Sequence, residues 1–259
     1  MSGPARKRFG QHFLYDQSVI GAILAAIDAG PGDTVLEIGP GRGALTAGLL
    51  ATGCELHAIE LDRDLAPVLR QRYAQNPRFH LHEGDALRIS LDSLAPTPAG
   101  GWRVVGNLPY NISTPLLFHL LGQYQQIDDL HVMLQREVIE RMAAAPGGRD
   151  YGRLTVMLAP YAEVEALFDV PPESFSPPPR VWSTVARLKL RREPAFPLDD
   201  RFGRIVLAAF SQRRKTLRNA LRSELDAAAI AACGVDPGAR PETLTPAQFG
   251  KLALAARSG

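Results

Sequence analysis

Short apolar runs alternate with helical patterns over the first two-thirds of the chain. The runs are five or six residues long and are bounded by turn residues, as buried strands are; they are residues 34–38, 55–59, 78–82, 102–106 and 130–135. Around them, apolar residues recur at helical spacing in segments 16–29, 44–51, 63–73 and 114–121. Strands and helices that alternate in this way predict βαβ units and a mostly parallel sheet.

The pattern changes in the last third of the chain. After a flexible loop at residues 146–148, two further strands are predicted at 164–170 and 181–190, with a proline-rich turn between them. A linker follows at residues 193–197, and beyond it the apolar residues recur at helical spacing to the end. We therefore expect an α/β domain over residues 1–192 and a small all-helical domain over residues 193–259.

Composition narrows the cellular setting. A chain of 259 residues with 46% hydrophobic content can fill the core of one medium domain and one small one. Its two cysteines, Cys54 and Cys233, are too few for a disulfide framework or a thiolate metal site. No apolar stretch approaches membrane-spanning length, and residues 1–13 lack the pattern of a secretory signal. We expect a soluble cytoplasmic protein without a membrane partner.

The histidines do not predict a metal site. His80 and His82 would share one face of a strand, but the sequence shows no other ligand near them. We interpret both as structural, and we assign no role to the remaining histidines except His12, which is discussed below.

Charge is unevenly distributed along the chain. The formal net charge is only +2, yet eleven Lys or Arg stand against three acidic residues between positions 187 and 222. A second basic cluster, Arg6, Lys7 and Arg8, lies near the start. Basic patches on a mildly acidic body are typical of polyanion-binding proteins, whereas a single charge run is more often a solvated helix face.

A glycine-rich turn follows the first strand of the predicted sheet. In residues 35–44 (VLEIGPGRGA) the strand runs into Gly39 and Gly41 and then into a helix. Glycines let the backbone approach a ligand closely, where a Cβ would intrude. The spacing, with Ala44 in the third small position, fits a dinucleotide fingerprint, so this loop alone does not separate NAD from S-adenosylmethionine.

Two acidic residues follow the next strands. Glu60 ends the second strand, 21 residues after Gly39, a distance suited to binding ribose hydroxyls. Asp85 follows the third strand and can accept a hydrogen bond from an adenine amine. Each acid taken singly is more often a loop or cap residue, but together with the glycine loop they predict a nucleoside pocket along successive strand ends.

The tetrapeptide Asn107-Leu108-Pro109-Tyr110 follows the fourth strand. Pro109 favours an extended Leu108, which would place the Leu108 carbonyl beside the amide oxygen of Asn107. Two adjacent acceptors suit an exocyclic NH2 group, and the Tyr110 ring can cover the base that carries it. Asn and Pro are also ordinary turn residues, so the motif taken alone is equally consistent with a strand-ending turn.

In this order, the glycine loop, the two acids and the Asn107 motif resemble class I S-adenosylmethionine methyltransferases that act on adenine amines. Three further segments closely resemble the dimethyladenosine transferases of small-subunit ribosomal RNA: residues 6–14 (RKRFGQHFL), 175–181 (FSPPPRV) and 210–219 (FSQRRKTLRN). The resemblance spans nearly the whole chain. It implies a Rossmann-like methyltransferase domain with a basic N-terminal arm, followed by a small helical domain that faces RNA.

The resemblance also implies roles for individual residues. Those matched to S-adenosylmethionine contacts are His12, Leu14, Gly39, Gly41, Glu60, Asp85 and Asn107. Many family members carry Asn where this chain has His12, a departure that concerns the side chain and not a backbone contact. Asn107 and Leu108 would accept the target amine, while Tyr110 and Phe175 would cover the two faces of a flipped adenine.

The implied substrate is 16S rRNA in the small ribosomal subunit. Two adjacent adenosines in its 3′-terminal hairpin loop would be dimethylated by a monomeric enzyme, with S-adenosylhomocysteine as product and without a metal. The residues matched to RNA binding are Arg213, Arg214, Lys215 and Arg218.

Other functions remain open from the sequence. A large-subunit rRNA or DNA adenine methyltransferase would use the same chemistry, although DNA enzymes often carry Asp in place of Asn107. A non-catalytic RNA-binding assembly factor would retain the fold and lose activity. An NAD oxidoreductase fits only the glycine loop.

Overall fold

The structure is a computed structural model that describes residues 12–212 and 214–256. The basic cluster at residues 6–8 and Arg213 therefore lie outside the described residues. The chain forms two compact units: one contains the residues up to 139 together with 164–190, and the other contains residues 140–163 together with those from 191 onward.

A seven-stranded sheet forms the centre of the first unit, in the order β4-β3-β2-β5-β6-β9-β7. The strands of the chain are β1 (Phe13–Leu14), β2 (Thr34–Ile38), β3 (Glu55–Glu60), β4 (Phe79–Glu83), β5 (Trp102–Asn107), β6 (Ile127–Gln135), β7 (Ala162–Val170), β8 (Phe175–Ser176) and β9 (Ser183–Leu190). Strands β4, β3, β2, β5 and β6 pair in parallel, and β9 pairs antiparallel to β6. The predicted α/β fold with a mostly parallel sheet is confirmed.

The helices of this unit lie where the apolar periodicity predicts them. They are α1 (Gln17–Ile27), α2 (Thr46–Ala51), α3 (Leu65–Arg72) and α4 (Ser113–Leu121). The first part of a further helix, α5 (Arg136–Met142), also belongs to this unit. Asp16 caps α1 by accepting hydrogen bonds from the backbone N–H groups of Ser18 and Val19. Because Ser174 Oγ also donates to Asp16 Oδ2 at 3.1 Å, the same cap holds the segment just before β8.

A buried ion-pair network ties α1 to the sheet. Arg103 on β5 donates to both carboxylate oxygens of Asp129 on β6, to Asp33 at 3.1 Å, and to the carbonyl of Ile27 at the end of α1. Burial alone would raise the pKa of Asp129, but the neighbouring His131 and Arg103 lower it to about 2. Asp129 is 1% exposed, so its charge is compensated almost entirely by these partners.

Histidines cluster with a carboxylate on one face of β3 and β4. His57 and His80 are opposite each other in the parallel ladder, His57 Nδ1 lies 3.0 Å from His82 Nε2, and His80 hydrogen-bonds Glu55. Burial, followed by the nearby His80 and His82, lowers the pKa of His57 to about 4. The sequence showed no polar partner for His80 and His82; the register of the two strands supplies it. The expectation of no metal stays a prediction.

The second unit is helical apart from its share of β7. Its helices are the end of α5 and α6 (Arg153–Leu158), α7 (Phe202–Ser211), α8 (Leu217–Ala220), α9 (Ala227–Ala232) and α10 (Pro246–Ala255). One face of α7, with Phe202, Ile205, Val206 and Ala209, is buried in the core of this unit.

The two compact units differ from the predicted domains, which meet at 192/193, because residues 140–163 belong to the second unit. Tyr151 is fully buried in the helical core and donates to the carbonyl of Leu244 at 2.7 Å, and Val156 packs in the same core. This segment leaves the sheet and returns to it, so no single cut of the chain separates the two units. Among the described residues, no helix has the length and apolar character needed to cross a bilayer.

We predict that Arg103→Ala lowers the free energy of unfolding by about 3–5 kcal/mol, because it leaves the Asp129 carboxylate buried without its main partner. Lys189→Ala is the matched control, since Lys189 pairs with Asp128 at an exposed position and should contribute at most about 1 kcal/mol. Urea denaturation at neutral pH measures both. Equal losses in the two variants would contradict the structural role of the buried network.

Candidate active site

One cavity of about 240 Å³ collects the predicted site residues at the carboxyl ends of the parallel strands. From the sequence-predicted set it is lined by His12, Leu14, Gly39, Gly41, Glu60, Asp85, Asn107, Leu108 and Tyr110. Phe175 does not line it. Open α/β sheets bind ligands at this edge, and all of the lining residues belong to the first unit.

The glycine loop adopts a backbone that only glycine takes without strain. Gly39 and Gly41 have φ angles of 65° and 58°, in the left-handed region. A Cβ on Gly39 would meet no atom within 4 Å and would project into open space, whereas one on Gly41 would lie 3.3 Å from the Phe13 ring. The loop therefore leaves room for a ligand at Gly39 and packs against β1 at Gly41.

Glu60 holds this loop through one carboxylate oxygen and the chain after β3 through the other. Oε2 accepts from the Gly41 N–H at 3.0 Å, and Oε1 accepts from the Asp62 N–H at 2.8 Å. Burial raises the pKa of Glu60, and the two backbone donors oppose that rise. Each oxygen has two lone pairs, so the carboxylate can still accept from a ligand hydroxyl.

Glu37 is a cavity residue that the sequence reasoning did not identify. It lies inside β2, is 2% exposed, and accepts a hydrogen bond from Thr46 Oγ1 at 2.7 Å. Burial raises its pKa to about 7, and the charge of Glu60 contributes in the same direction. The sequence did contain an indication of Glu37, an acidic residue within an apolar strand. Buried carboxylates are rare away from functional or paired positions, so a residue of this kind is a candidate site residue.

Asp85 lies two residues beyond the end of β4 and caps a short 3-10 turn at residues 86–88. Its Oδ1 accepts from the Leu87 N–H at 3.0 Å, and Arg88 lies 3.9 Å from Oδ2. The capping role that is usual for such a residue is present. The side chain also lines the cavity, so the cap orients its carboxylate there.

Asn107 is the last residue of β5, and its amide is held by the chain just before β1. Asn107 Nδ2 donates to the His12 carbonyl at 3.0 Å, which fixes which end of the amide is the donor and leaves Oδ1 as its acceptor. Leu108 N donates to the Met133 carbonyl at 3.2 Å, so the motif remains tied to β6 beyond the end of β5.

Tyr110 is held at both its hydroxyl and its ring. The hydroxyl hydrogen-bonds Ser183 Oγ at 2.7 Å, and burial raises the pKa of Tyr110. The His12 ring stacks on Tyr110 with centroids 5.7 Å apart and planes 29° apart, while His12 Nδ1 hydrogen-bonds the Pro177 carbonyl at 2.8 Å. The His12 side chain therefore positions Tyr110, a contact that the sequence left undefined.

Phe175 lies in a short antiparallel pair that the sequence reasoning missed. Leu14 on β1 is opposite Phe175 on β8, within the segment that we interpreted as a proline-rich turn. Phe175 is 2% exposed and packs in the same apolar core as Leu14. A two-residue strand has no periodicity to detect, and its partner is about 160 positions away in the sequence.

The basic residues predicted to bind RNA lie in the second unit. Arg214, Lys215 and Arg218 are exposed, and among the described residues no carboxylate lies within ion-pair distance of them. Thus these charges are available to a polyanion.

Known proteins identify the family. A family model described as ribosomal RNA adenine dimethylase matches residues 3–257. The chain belongs to this family. The dimethylase relatives include the ribosomal RNA small subunit methyltransferase A of Pseudomonas putida, 53% identical over 96% of this chain and 94% of the relative, and that of Alcanivorax borkumensis, 49% identical over 97% and 90%.

Solved structures agree with this assignment. The dimethyladenosine transferase of Plasmodium falciparum matches with a TM-score of 0.78 over 93% of this chain and 96% of the other; at 24% identity it shows the shared fold alone. The 23S rRNA methyltransferase ErmE matches with a TM-score of 0.70 and 28% identity, over 94% and 98% of the two chains. The Rossmann-like fold expected of the dimethylase family is confirmed.

We predict a pH dependence of stability that originates at Glu37. Its folded-state pKa of about 7 lies above the ordinary value of 4.5, so protonation favours the folded state. The contribution is complete below pH 4.5 and is lost as the pH rises through 7, by about 3 kcal/mol at most. Between pH 5 and pH 8 the wild type should lose about 2–3 kcal/mol relative to Glu37→Gln.

Urea unfolding of both proteins at a series of pH values measures this difference. The Gln side chain retains an acceptor for Thr46, so the hydrogen bond is preserved and only the titration is removed. Stability curves that run parallel from pH 5 to pH 8 would contradict the raised pKa.

Proposed function

We propose that this protein is an S-adenosylmethionine-dependent rRNA adenine N6,N6-dimethyltransferase of the small ribosomal subunit. Its substrates would be two adjacent adenosines in the 3′-terminal hairpin loop of 16S rRNA. The observation that carries the proposal is the single cavity in which a nucleoside-type pocket and the Asn107-Leu108-Pro109-Tyr110 motif meet. The identity to small-subunit methyltransferases over nearly the whole chain supports the choice of RNA.

The cavity fits S-adenosylmethionine on chemical grounds. The open space at Gly39 admits a ligand against the backbone, Glu60 and Asp85 offer acceptors for ribose hydroxyls and an adenine amine, and Leu14 contributes to an apolar wall. The bound cofactor would supply an electrophilic methyl group. We propose that His12 and Gly41, which also line the cavity, contact the bound cofactor.

Asn107 and Leu108 position the target amine. The adenine N6 lone pair is delocalised into the ring, so the amine is a weak nucleophile. If Asn107 Oδ1 and the Leu108 carbonyl accept its two hydrogens, the lone pair localises on nitrogen and points away from both acceptors. As the bond from N6 to the methyl carbon forms, the bond from that carbon to sulfur would break, leaving S-adenosylhomocysteine. The cationic nitrogen would then lose a proton to solvent water. Alignment of this kind can contribute several kcal/mol of the barrier, out of about 7–11 kcal/mol available to well-oriented reactants.

The hydrogen bond from Asn107 Nδ2 to the His12 carbonyl fixes the orientation of the Asn107 amide. An amide that donates to the His12 carbonyl cannot rotate without losing that bond, which contributes about 1 kcal/mol. The acceptor oxygen is thus preorganised before substrate arrives, and no reorganisation is required during the reaction.

Two aromatic rings would hold the flipped base. Tyr110 lines the cavity and is held by Ser183 and His12, so it offers a fixed stacking surface. Stacking contributes about 1–3 kcal/mol per base and offsets the unstacking of the target adenine. We propose Phe175 as the second ring; since it is 2% exposed, this role requires the ring to become accessible when the base enters.

RNA would be held through phosphate contacts by basic residues of the helical unit. We assign this role to Arg213, Arg214, Lys215 and Arg218. Binding of this kind weakens steeply with salt, because neutralised phosphates release their counterions. We further propose that the protein acts as a monomer in the cytoplasm.

Two alternatives make different predictions. A large-subunit rRNA enzyme would methylate 23S rRNA in place of small subunits; the structural similarity to ErmE raises this alternative, and the higher identity to small-subunit enzymes disfavours it. A non-catalytic assembly factor would bind subunits without methylating them. A labelled-methyl assay on unmodified small subunits and on 23S rRNA, with nucleoside analysis for N6,N6-dimethyladenosine, separates all three.

We predict that Asn107→Ala lowers kcat for methylation of small subunits by about 10²- to 10³-fold, as the loss of a preorganised polar contact does in other enzymes. Calorimetric titration with S-adenosylmethionine should show that the variant still binds cofactor, with a Kd changed by about tenfold or less. Near-normal methylation would refute the positioning role. Loss of cofactor binding would reassign Asn107 to the cofactor alone.

We predict that the charge reversals Arg214→Glu and Lys215→Glu together weaken RNA binding more than tenfold and reduce the slope of log K against log salt by about 2. The matched control reverses Arg240 and Lys251, which are exposed residues of the same unit outside the basic run. Filter binding of 16S rRNA over a range of salt concentrations measures both. Equal effects in the two double variants would show a general charge effect and contradict a specific phosphate contact.

A further inference from the structure

Trp182 is an exposed aromatic ring on the first unit that no step of the proposed reaction uses. It is 46% exposed and its neighbour Val181 is 44% exposed, whereas Trp102, the other tryptophan of the chain, is fully buried. Tryptophan is normally highly buried on average, so an exposed indole is an informative exception.

Trp182 is held in place by two contacts with Arg136. The guanidinium of Arg136 lies over the ring, 4.9 Å from its centroid, and Arg136 N donates to the Trp182 carbonyl at 3.0 Å. Arg136 is itself held by Asp169 at 2.6 Å, and Asp169 accepts a hydrogen bond from Thr184 Oγ1. We refer to Trp182 and Arg136 together as the indole platform.

This arrangement places the Arg136 guanidinium over one face of the indole. The cation covers the face that it contacts, and the large exposed fraction indicates that much of the remaining surface faces solvent. Since Asp169 neutralises Arg136, the platform is suited to a flat neutral partner and not to an isolated anion. Nucleobases stack on rings of this kind with little dependence on sequence.

The indole platform is adjacent in the chain to the proposed base-binding site. Trp182 directly precedes Ser183, whose hydroxyl lies 2.7 Å from the Tyr110 hydroxyl, and Tyr110 lines the cavity. Ser183 thus faces Tyr110 while Trp182 contacts Arg136, so the two consecutive side chains serve different neighbours. A base on Trp182 would consequently be a different base from the one in the cavity.

We propose that the indole platform stacks an unpaired nucleotide of the RNA that flanks the adenosine held in the cavity. This inference rests on the proposed function, because it assumes an RNA substrate whose target base lies at Tyr110. Its effect is to fix the strand on one side of the flipped base. A flanking stack increases the affinity for single-stranded loop RNA, and it does not alter the binding of cofactor.

Tryptophan fluorescence can measure whether a base stacks on Trp182, because Trp102 is the other tryptophan of the chain and can be replaced. In a Trp102→Phe variant all tryptophan emission comes from Trp182, so stacking of a base should quench it. The probe is a short RNA hairpin with two adjacent adenines in its loop, titrated at low salt. A fully base-paired RNA duplex of the same length and charge is the control ligand and should leave the emission nearly unchanged.

Affinity provides the second measurement. Trp182→Ala should bind the hairpin about 5- to 100-fold more weakly, equivalent to about 1–3 kcal/mol, and Trp182→Tyr should restore most of the loss. Val68→Ala, which shortens another exposed apolar side chain of the first unit, is the matched control and should bind as the wild type does. The Kd for S-adenosylmethionine should be the same in all four proteins.

The outcomes separate this inference from the proposed function. If the wild type methylates small subunits but Trp182→Ala binds the hairpin normally and the Trp182 emission does not change, the indole platform does not contact RNA and only this inference is overturned. The same conclusion follows if Trp182→Ala impairs binding to assembled subunits alone, which would indicate a protein partner. If the wild type methylates no RNA, the proposed function itself fails.

Discussion

Parallel hydrogen bonding between β2 and its neighbours β3 and β5 brings Gly39, Glu60 and Asn107 to one edge of the sheet. These residues are far apart in the sequence, and the ladder alone determines which strand ends coincide. The glycine loop begins where β2 ends, and Glu60, at the end of β3, holds that loop through the Gly41 N–H. The site is therefore an extension of the sheet's own hydrogen bonding, and a rigid sheet gives a rigid site.

The pKa values of the buried carboxylates in this unit shift in opposite directions. Asp129 remains ionised because Arg103 and its other neighbours offset the loss of water, and the result is structural. Among the described residues no cation lies within ion-pair distance of Glu37 or Glu60, and burial raises both of their pKa values. The cavity wall thus combines carboxylates with backbone donors and apolar side chains, a combination suited to a nucleoside and less suited to a free anion.

A short segment around β1 joins the two halves of the cavity. The His12 carbonyl orients the amide of Asn107, the His12 ring covers Tyr110, and the pairing of β1 with β8 brings the segment of Phe175 alongside. The glycine-loop side of the cavity and the Asn107-Leu108-Pro109-Tyr110 motif consequently depend on the same few residues. This dependence explains why a histidine at position 12 is compatible with the family's chemistry: its backbone performs the contact with Asn107, and its ring performs a separate one.

The sequence by itself determined the order of strands β2 to β6 and of the helices between them, the glycine loop, and the residues at successive strand ends, because periodicity and turn chemistry act over a few neighbouring positions. It also predicted the family, from the glycine loop, the two acids, the Asn107 motif and the three segments at residues 6–14, 175–181 and 210–219. Only the tertiary structure decided the pairing of β1 with β8, the burial of Glu37 and Phe175, and the return of residues 140–163 into the helical core. Each of these depends on contacts between residues distant in the chain, and local pattern carries no information about which distant surfaces will exclude water together.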